Sequence, residues 1–264
     1  MKKINFGKLN KKNLEKADEL CNKALEIPNP AKSLSLLKEA LKLSEYCSQA
    51  YFSLGLQSEK EKDSIEYQYL ALISEEKKLG EKFFEENKGY FWEILETRVY
   101  MFMKFRFCEI LWEFGYRESA VKHALELIEL NTNDNQGMRY RLTGWLVWLG
   151  DKKNFNKLIK QFKGEDYCGF YFDQALFHFK YGNLEKAAEF LDLGVERNSL
   201  VIELLLGIEE VQGIPEVMSF GDDNEAFNYM INNRDVWECT GGSLEWLWSE
   251  YKKRDGKESF LPFD

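Results

Sequence analysis

Three glycines, Gly115, Gly150 and Gly182, each close an aromatic-rich apolar segment (ILWEFG, WLVWLG and LFHFKYG) at spacings of 35 and 32 residues. Self-similarity at such a period constrains a fold strongly, because each repeat must bury its apolar face on its neighbours. The phase continues past the glycines. YRESAVKHALELIELN follows Gly115 and NLEKAAEFLDLGVERN follows Gly182; Ala120 and Ala187 lie five residues beyond the glycine, and Asn131 and Asn198 eleven further on. The pattern predicts helical hairpins. Glycine takes the left-handed conformation that ends a first helix and turns the chain. Alanine sits where two helices cross closely, aromatics fill the wider gaps, and asparagine ends the second helix or caps the next.

The N-terminal half follows the scheme less cleanly. SLSLLKEALKL (33–43) has helical apolar spacing at Leu34, Leu37, Ala40 and Leu41. AYFSLG (50–55) reads as the end of a first helix and SIEYQYLALISEEKKLG (64–80) as its successor, with the charged QSEKEKD a solvated turn between them. The β-prone VYMFMKFRF (99–107) lies inside a run from Phe91 to Phe114 without turn signals, so length assigns it to a helix. GIPEVMSFGDD (213–223) reads as a loop. NEAFNYMINNRDVWE and TGGSLEWLW then read as helical, with their Trp residues packed in an end cap. The expected fold is an all-α, right-handed helical-hairpin solenoid of about four or five hairpins closed by a cap. It forms one domain, 1–264, with divergent repeats over 1–80, core repeats over 81–209 and the cap over 210–264.

Composition agrees with a packed helical chain. Hydrophobic residues make up 44% of the sequence, and 20 Phe, 13 Tyr and 7 Trp supply the area that offsets chain entropy. A net charge of −9 argues against a protein that coats nucleic acid. The charge is uneven: residues 1–16 carry +5, read as a solvated helix start, and residues 209–250 carry −9. Five widely spaced cysteines and two histidines form no ligand-spaced cluster, so no metal or cofactor is expected and the thiols read as core residues of a reducing compartment. MKKINFGKLNKK lacks the apolar run of a secretory signal. The longest strongly apolar uncharged run, Leu142–Gly150, is about half of what a membrane helix needs, so a cytoplasmic location is expected.

Within 80–149 a family resemblance emerges. GYFWEILETRVYMF, EFGYRESAVKHALELIELNTNDNQGMRYRL and RDVWECTGGSLEWL resemble a branch of the tetratricopeptide superfamily, the one related to the suppressor-of-tumorigenicity-7 protein and its small prokaryotic relatives. The strongest match is Asn131–Tyr140, followed by Thr97, Arg98 and Tyr100, and by Trp237 with Gly242–Leu247; together they span roughly 80–250. Thr132 and Val99 stand where such proteins usually carry proline. The resemblance implies a helical scaffold and no catalytic motif.

The candidate binding residues follow from this segment. Asn133 or Asp134 can cap a helix beginning near Asn135, and Asn133 with Gln136 has capping-box spacing. Capping does not account for Gln136, Arg139 and Tyr140; Gln136 and Arg139 would share a helical face, where arginine grips a carboxylate or phosphate or else locks adjacent repeats together. Arg98, Tyr100 and Arg106 lie on the preceding first helix, so a groove formed with Asn135, Gln136, Arg139 and Tyr140 would be basic and favour an acidic protein or peptide partner. The alternative for the arginines is pairing with Glu93, Glu96 or Glu109. The expected function is therefore a non-catalytic adaptor or regulator. Two other readings stay open, a sensor of a small anionic ligand and a helical ribonuclease using Arg117 and His123, whose spacing alone is a weak sign of acid–base chemistry.

Overall fold

Each predicted glycine turn ends a helix by the same pair of hydrogen bonds. The computed structural model describes residues 6–213 and 217–255. Gly115, Gly150 and Gly182 have φ of 81°, 71° and 75°. Their N–H groups donate to the carbonyls of Trp112, Val147 and Phe179 at 2.9–3.1 Å. The next N–H, of Tyr116, Asp151 and Asn183, reaches back to Leu111, Leu146 and His178 at 2.8–3.0 Å. This double bond pattern satisfies the last carbonyls of a helix and needs a left-handed residue, which glycine adopts without Cβ strain. Gly207 (φ 68°) builds a fourth such turn, on Leu204 and Glu203.

The chain divides into two compact units, Met1–Met138 and Arg139–Asp264. The first contains α1 (Lys11–Glu26), α2 (Pro30–Leu43), α3 (Ser48–Leu56), α4 (Glu61–Leu79), α5 (Glu81–Asn87), α6 (Arg98–Glu113) and α7 (Arg117–Leu130). Here α1 packs on α2, α3 on α4 and α6 on α7. Asn10 and Asn29 cap the first two helices by accepting from the N–H of Asn13 and Lys32. Close approach of α1, α2 and α3 is made by small buried residues: Ala17, Cys21, Ala24, Ala40, Cys47 and Ala50 around Leu37 and Leu54.

The second unit contains α8 (Arg139–Leu149), α9 (Lys152–Gln161), α10 (Cys168–Lys180), α11 (Leu184–Arg197), α12 (Leu200–Leu205), α13 (Asp223–Glu238) and α14 (Ser243–Asp255). Within it α8 packs on α9, α10 on α11 and α12 on α13, and α14 lies against α10, α12 and α13. Trp237 is fully buried, and Trp246 stacks on both it and Phe179, so these aromatics are packed against one another. At the position of Ala120 and Ala187, the middle repeat carries Phe155, which stacks on Phe177 with centroids 4.0 Å apart. Among the described residues there is no strand; Tyr90 and Asn131 form a single bridge. The all-α helical-hairpin class is as expected.

Three details differ from expectation. Among the described residues six helix pairs form, because residues 11–26 and the short α12 supply partners that the glycine pattern does not mark. The run from Phe91 to Phe114 is not one helix: two 3-10 turns cover Phe91–Glu93 and Leu95–Thr97 before α6 begins. Phe91 and Thr97 are fully buried there, and the Thr97 hydroxyl sits against the carbonyls of Phe91 and Ile94, bonds that compete with α-helical pairing. Residues 131–138 are two consecutive turns, and α8 starts only at Arg139. Of the expected features, the basic start at 1–5, residues 214–216 of the loop and residues 256–264 of the cap lie outside the described residues.

Ala120 and Ala187 have no exposed surface, and Asn131 and Asn198 are the C-caps of α7 and α11. Ala120→Leu and Ala187→Leu should each overpack a hairpin and cost about 1–3 kcal/mol in thermal or denaturant unfolding. Melting curves unchanged from the parent would contradict this packing.

Candidate functional site

The first unit contains an open cleft of about 490 Å³ walled by α4, α5, α6 and α7. Its apolar surface comes from Phe84, Tyr100 and Leu130, its charge from Glu76, Glu81, Glu85, Glu126 and Glu129 with Lys88 and Lys104. Sequence spacing explains the arrangement. In α5, EKFFEEN puts Glu81, Phe84 and Glu85 on one side at i, i+3, i+4. In α6 Tyr100 and Lys104 are one turn apart, and in α7 Glu126, Glu129 and Leu130 repeat the spacing.

Buried polar groups fix the floor. Tyr100 is 2% exposed; its hydroxyl donates to Glu76 Oε1 at 3.0 Å, and its ring meets Phe84 edge-on at 5.2 Å. Burial, and then the Glu76 carboxylate, push the Tyr100 phenol well above its ordinary value, so it stays a donor. Lys104, 3% exposed, donates to Glu126 Oε2 at 2.8 Å, and its ammonium lies 5.7 Å from the Tyr100 ring centroid. His123 Nδ1 lies 3.3 Å from the Lys104 ammonium and 3.4 Å from the Glu126 carboxylate. A neutral imidazole accepts there from Lys104; an imidazolium donates to Glu126. The His123 hydrogen bond, with Lys104 behind it, outweighs burial and holds Glu126 down at about 2. At the rim Lys88 pairs with Glu129 at 2.7 Å, while Glu81 and Glu85 are exposed. Both lysines thus have carboxylate partners, and the cleft carries more acid than base.

The predicted site residues fall in different settings. Tyr100 lines the cleft. Arg98 is exposed, donating to the Trp92 carbonyl at 3.2 Å with its guanidinium 5.1 Å from the Trp92 ring. Arg106 pairs with Glu109, the ion-pair alternative weighed above. The exposed side of α6 also carries Val99 and Phe102, following Leu95, which is 73% exposed. Arg117 packs over the Trp112 ring at 4.4 Å, while His123 meets Phe107 edge-on at 5.1 Å.

The shared helical face of Gln136 and Arg139 does not exist, because Gln136 precedes the helix. Asp134, buried with φ 48°, accepts from the Met138 N–H at 2.9 Å and closes the second turn onto Gly137. That Asx geometry occupies the residues a capping box would have used. Asn135 is exposed at the turn, and Gln136 Oε1 is buried without a hydrogen bond. In the second unit Arg139 and Tyr140 close a triangle with Glu165: Arg139 Nε to Oε2 at 2.6 Å, Tyr140 hydroxyl to Oε1 at 3.1 Å, and Arg139 to the Tyr140 oxygen. The Arg139 and Glu165 side chains are only 15% and 12% exposed, and the guanidinium lies 5.1 Å from the Phe162 ring.

Sequence reasoning missed Glu76, Glu81, Phe84, Glu85, Lys104, Glu126 and Glu129. A signal was present in EKFFEEN and in the lone lysine of an aromatic helix, but one helix alone does not tell which polar face adjoins a cavity. Among the described residues no group of three His, Cys, Asp or Glu is placed to hold a metal ion, and no helix is long and apolar enough to cross a membrane.

No family model and no curated protein matches the chain. Among solved structures it is similar to YrrB, described as a TPR protein with an unusual peptide-binding site, at 18% identity over 70% of this chain and 84% of that one, with a TM-score of 0.47.

Two predictions follow from the buried charges. Arg139→Ala strips Glu165 of its cation and should cost about 1–3 kcal/mol in unfolding, whereas an unchanged melt would mean that Arg139 contributes nothing to the fold. Glu126 titrates lower in the folded chain than its ordinary 4.5, so its stabilisation is present above about pH 5 and fades as pH falls towards about 2. Glu126 is 42% exposed, so solvent screening limits this acid-linked part to about 1 kcal/mol. Glu126→Gln should lower the melting temperature at pH 7 and remove this part of the acid slope; an unaltered slope would contradict it.

Proposed function

We propose that this chain is a non-catalytic helical-repeat scaffold, an adaptor or regulator, and that the cleft between α4, α5, α6 and α7 receives a segment of a protein partner. The carrying observation is the lining of that cleft, an aromatic floor below five carboxylates whose two lysines already have carboxylate partners. Such a lining favours a basic side chain over an acidic one, since an ammonium or guanidinium can sit on Phe84 while pairing with Glu81 and Glu85. The acidic partner expected from sequence would meet repulsion here. Tyr100 is accordingly the predicted residue assigned to the floor of the cleft, where it positions Glu76 and Phe84, and Arg139 and Tyr140 are assigned to holding the second unit together.

A second reading rests on the exposed side of α6, where Arg98 accompanies Leu95, Val99 and Phe102. That face suits an anionic segment or small anion. Membership of the suppressor-of-tumorigenicity-7 branch, a cytoplasmic location and a single domain with repeats and a C-terminal cap belong to the same proposal. Four buried free thiols support the location.

Capture from the native host separates the readings. Glu81→Lys/Glu85→Lys changes two exposed residues and should leave stability within about 0.5 kcal/mol. The expected outcome is a loss of at least about tenfold in captured partner, a difference of about 1.4 kcal/mol. Capture that survives this change but disappears with Arg98→Ala/Arg106→Ala would overturn the cleft in favour of the α6 face.

A further inference from the structure

The second unit buries a carboxylate with no cation beside it. Asp173, on α10, is 1% exposed. Its Oδ1 accepts from the Tyr229 hydroxyl of α13 at 2.9 Å, and Tyr229 in turn accepts from Trp237 Nε1 at 2.9 Å. Indole only donates, so the direction of this chain is fixed from Trp237 to Tyr229 to Asp173. On the other side Asp173 Oδ2 meets the Thr143 hydroxyl of α8, which also lies 3.1 Å from the Arg139 carbonyl. A hydroxyl has one proton and cannot serve both acceptors.

Next to them, Asn233 is 1% exposed, its Nδ2 donating to the Tyr229 carbonyl at 3.2 Å and its Oδ1 without a donor. A Cβ on Gly144 would meet both groups, Asn233 Oδ1 within its van der Waals radius and Asp173 Oδ1 at 3.6 Å. The close approach leaves no space for a side chain at 144. The site is thus rich in acceptors and short of one hydrogen.

We propose that Asp173 is held as a neutral carboxylic acid in the folded second unit, and that loss of its proton is a pH-sensitive switch on the packing of α8 against α10 and α13. With the proton on Oδ2 each hydrogen has a single use: Trp237 donates to Tyr229, Tyr229 to Asp173, Asp173 to Thr143, and Thr143 to the Arg139 carbonyl. Deprotonation breaks the series, because Thr143 must turn to the carboxylate and leave the carbonyl. The charge is then left in a dry environment, 1% exposed, which is costly.

Among the described residues no cation acts on Asp173 itself. From α13 the site meets Tyr229 and, further off, the buried Glu225, a second carboxylate. Tyr167 and Cys168 at the start of α10 are pushed up by burial, with Asp173 adding to the rise, while Arg141 of α8 acts on Tyr167. Against α10, α11 places Gly194 on Phe172 and Arg197 on the Tyr171 ring and hydroxyl, with His178 of α10 stacked on Phe190 near Lys186 and Glu189, and α14 places Trp246 on Phe179. Arg197 is engaged by Tyr171, and none of these groups acts on Asp173. Burial accordingly raises the Asp173 carboxyl to about 7, against the lowering effect of the Thr143 and Tyr229 hydrogen bonds.

The sign is opposite to that of Glu126. A carboxyl whose folded value lies above its unfolded 3.8 stabilises the fold at low pH, and that contribution falls as pH rises from about 4 to about 7. The test uses the full chain. Carboxyl carbon NMR should give Asp173 a midpoint near 7, against about 4 for an ordinary aspartate. Hydrogen-exchange protection of α8 and α13, corrected for intrinsic exchange, should fall about tenfold per pH unit between about pH 5 and 6.5, while α1–α4 show no such step. Asp173→Asn keeps the shape without the titration and should abolish that fall. A midpoint near 4, or the same pH dependence in Asp173→Asn, would overturn the proposal. Should that variant not fold, Tyr229→Phe, which removes one donor to the carboxylate, must raise the NMR midpoint; an unmoved midpoint would also overturn it.

Discussion

The left-handed glycine after α6, α8 and α10 is the constraint on which their hairpins depend. At Gly115, Gly150 and Gly182 the next helix starts within two residues, and the reversal is possible because φ there lies between 71° and 81°. A non-glycine residue would pay Cβ strain at each turn. The same two backbone bonds recur each time, so the second helix leaves each turn in the same local geometry. Side-chain size then follows position: Ala120 and Ala187 are fully buried five residues past the turn, and where Phe155 replaces them its ring is taken up by stacking on Phe177.

Charge inside this framework divides into settled and unsettled groups. Glu225 is fully buried yet accepts from the Cys168 and Gly221 N–H groups and from Asn198, which ties the starts of α10 and α13 to the end of α11. The Arg139–Tyr140–Glu165 triangle and the Lys104–Glu126 pair are likewise compensated. Groups of this kind stabilise one arrangement, because removing the partner of a buried member, as of Lys104 or Glu165, leaves that charge alone. Glu81 and Glu85 at the cleft and Asp173 in the second unit have no such cation. The first two face solvent and are open to a partner; Asp173 faces protein and is open only to a proton.

Much of the fold was legible because it is periodic. The glycines, the two buried alanines and the terminal asparagines Asn131 and Asn198 repeat at fixed phase, and repetition survives the absence of three-dimensional information. Local competition was less legible. Thr97 gives its hydroxyl to backbone carbonyls and delays α6, and Asp134 turns residues 131–138 away from helix; neither is distinguishable in sequence from an ordinary helix-start residue. The candidate site was legible only at Tyr100. The arginines were candidates because a guanidinium grips a carboxylate or phosphate, yet Arg106 and Arg139 already have carboxylate partners, from Glu109 one turn on and from Glu165 26 residues on. The cleft is assembled from four helices with 50 residues between Glu76 and Glu126, a juxtaposition no single amphipathic pattern encodes.

The sign of charge that the cleft accepts tests the account most directly. Binding isotherms of the full chain with two peptide pools of equal length and aromatic content, one lysine- and arginine-rich and one aspartate- and glutamate-rich, would be recorded between low and high salt. The account predicts that the basic pool binds, that its affinity falls as salt screens the carboxylates, and that Glu81→Lys/Glu85→Lys abolishes it. Preferential binding of the acidic pool, unaffected by that double change, would contradict it.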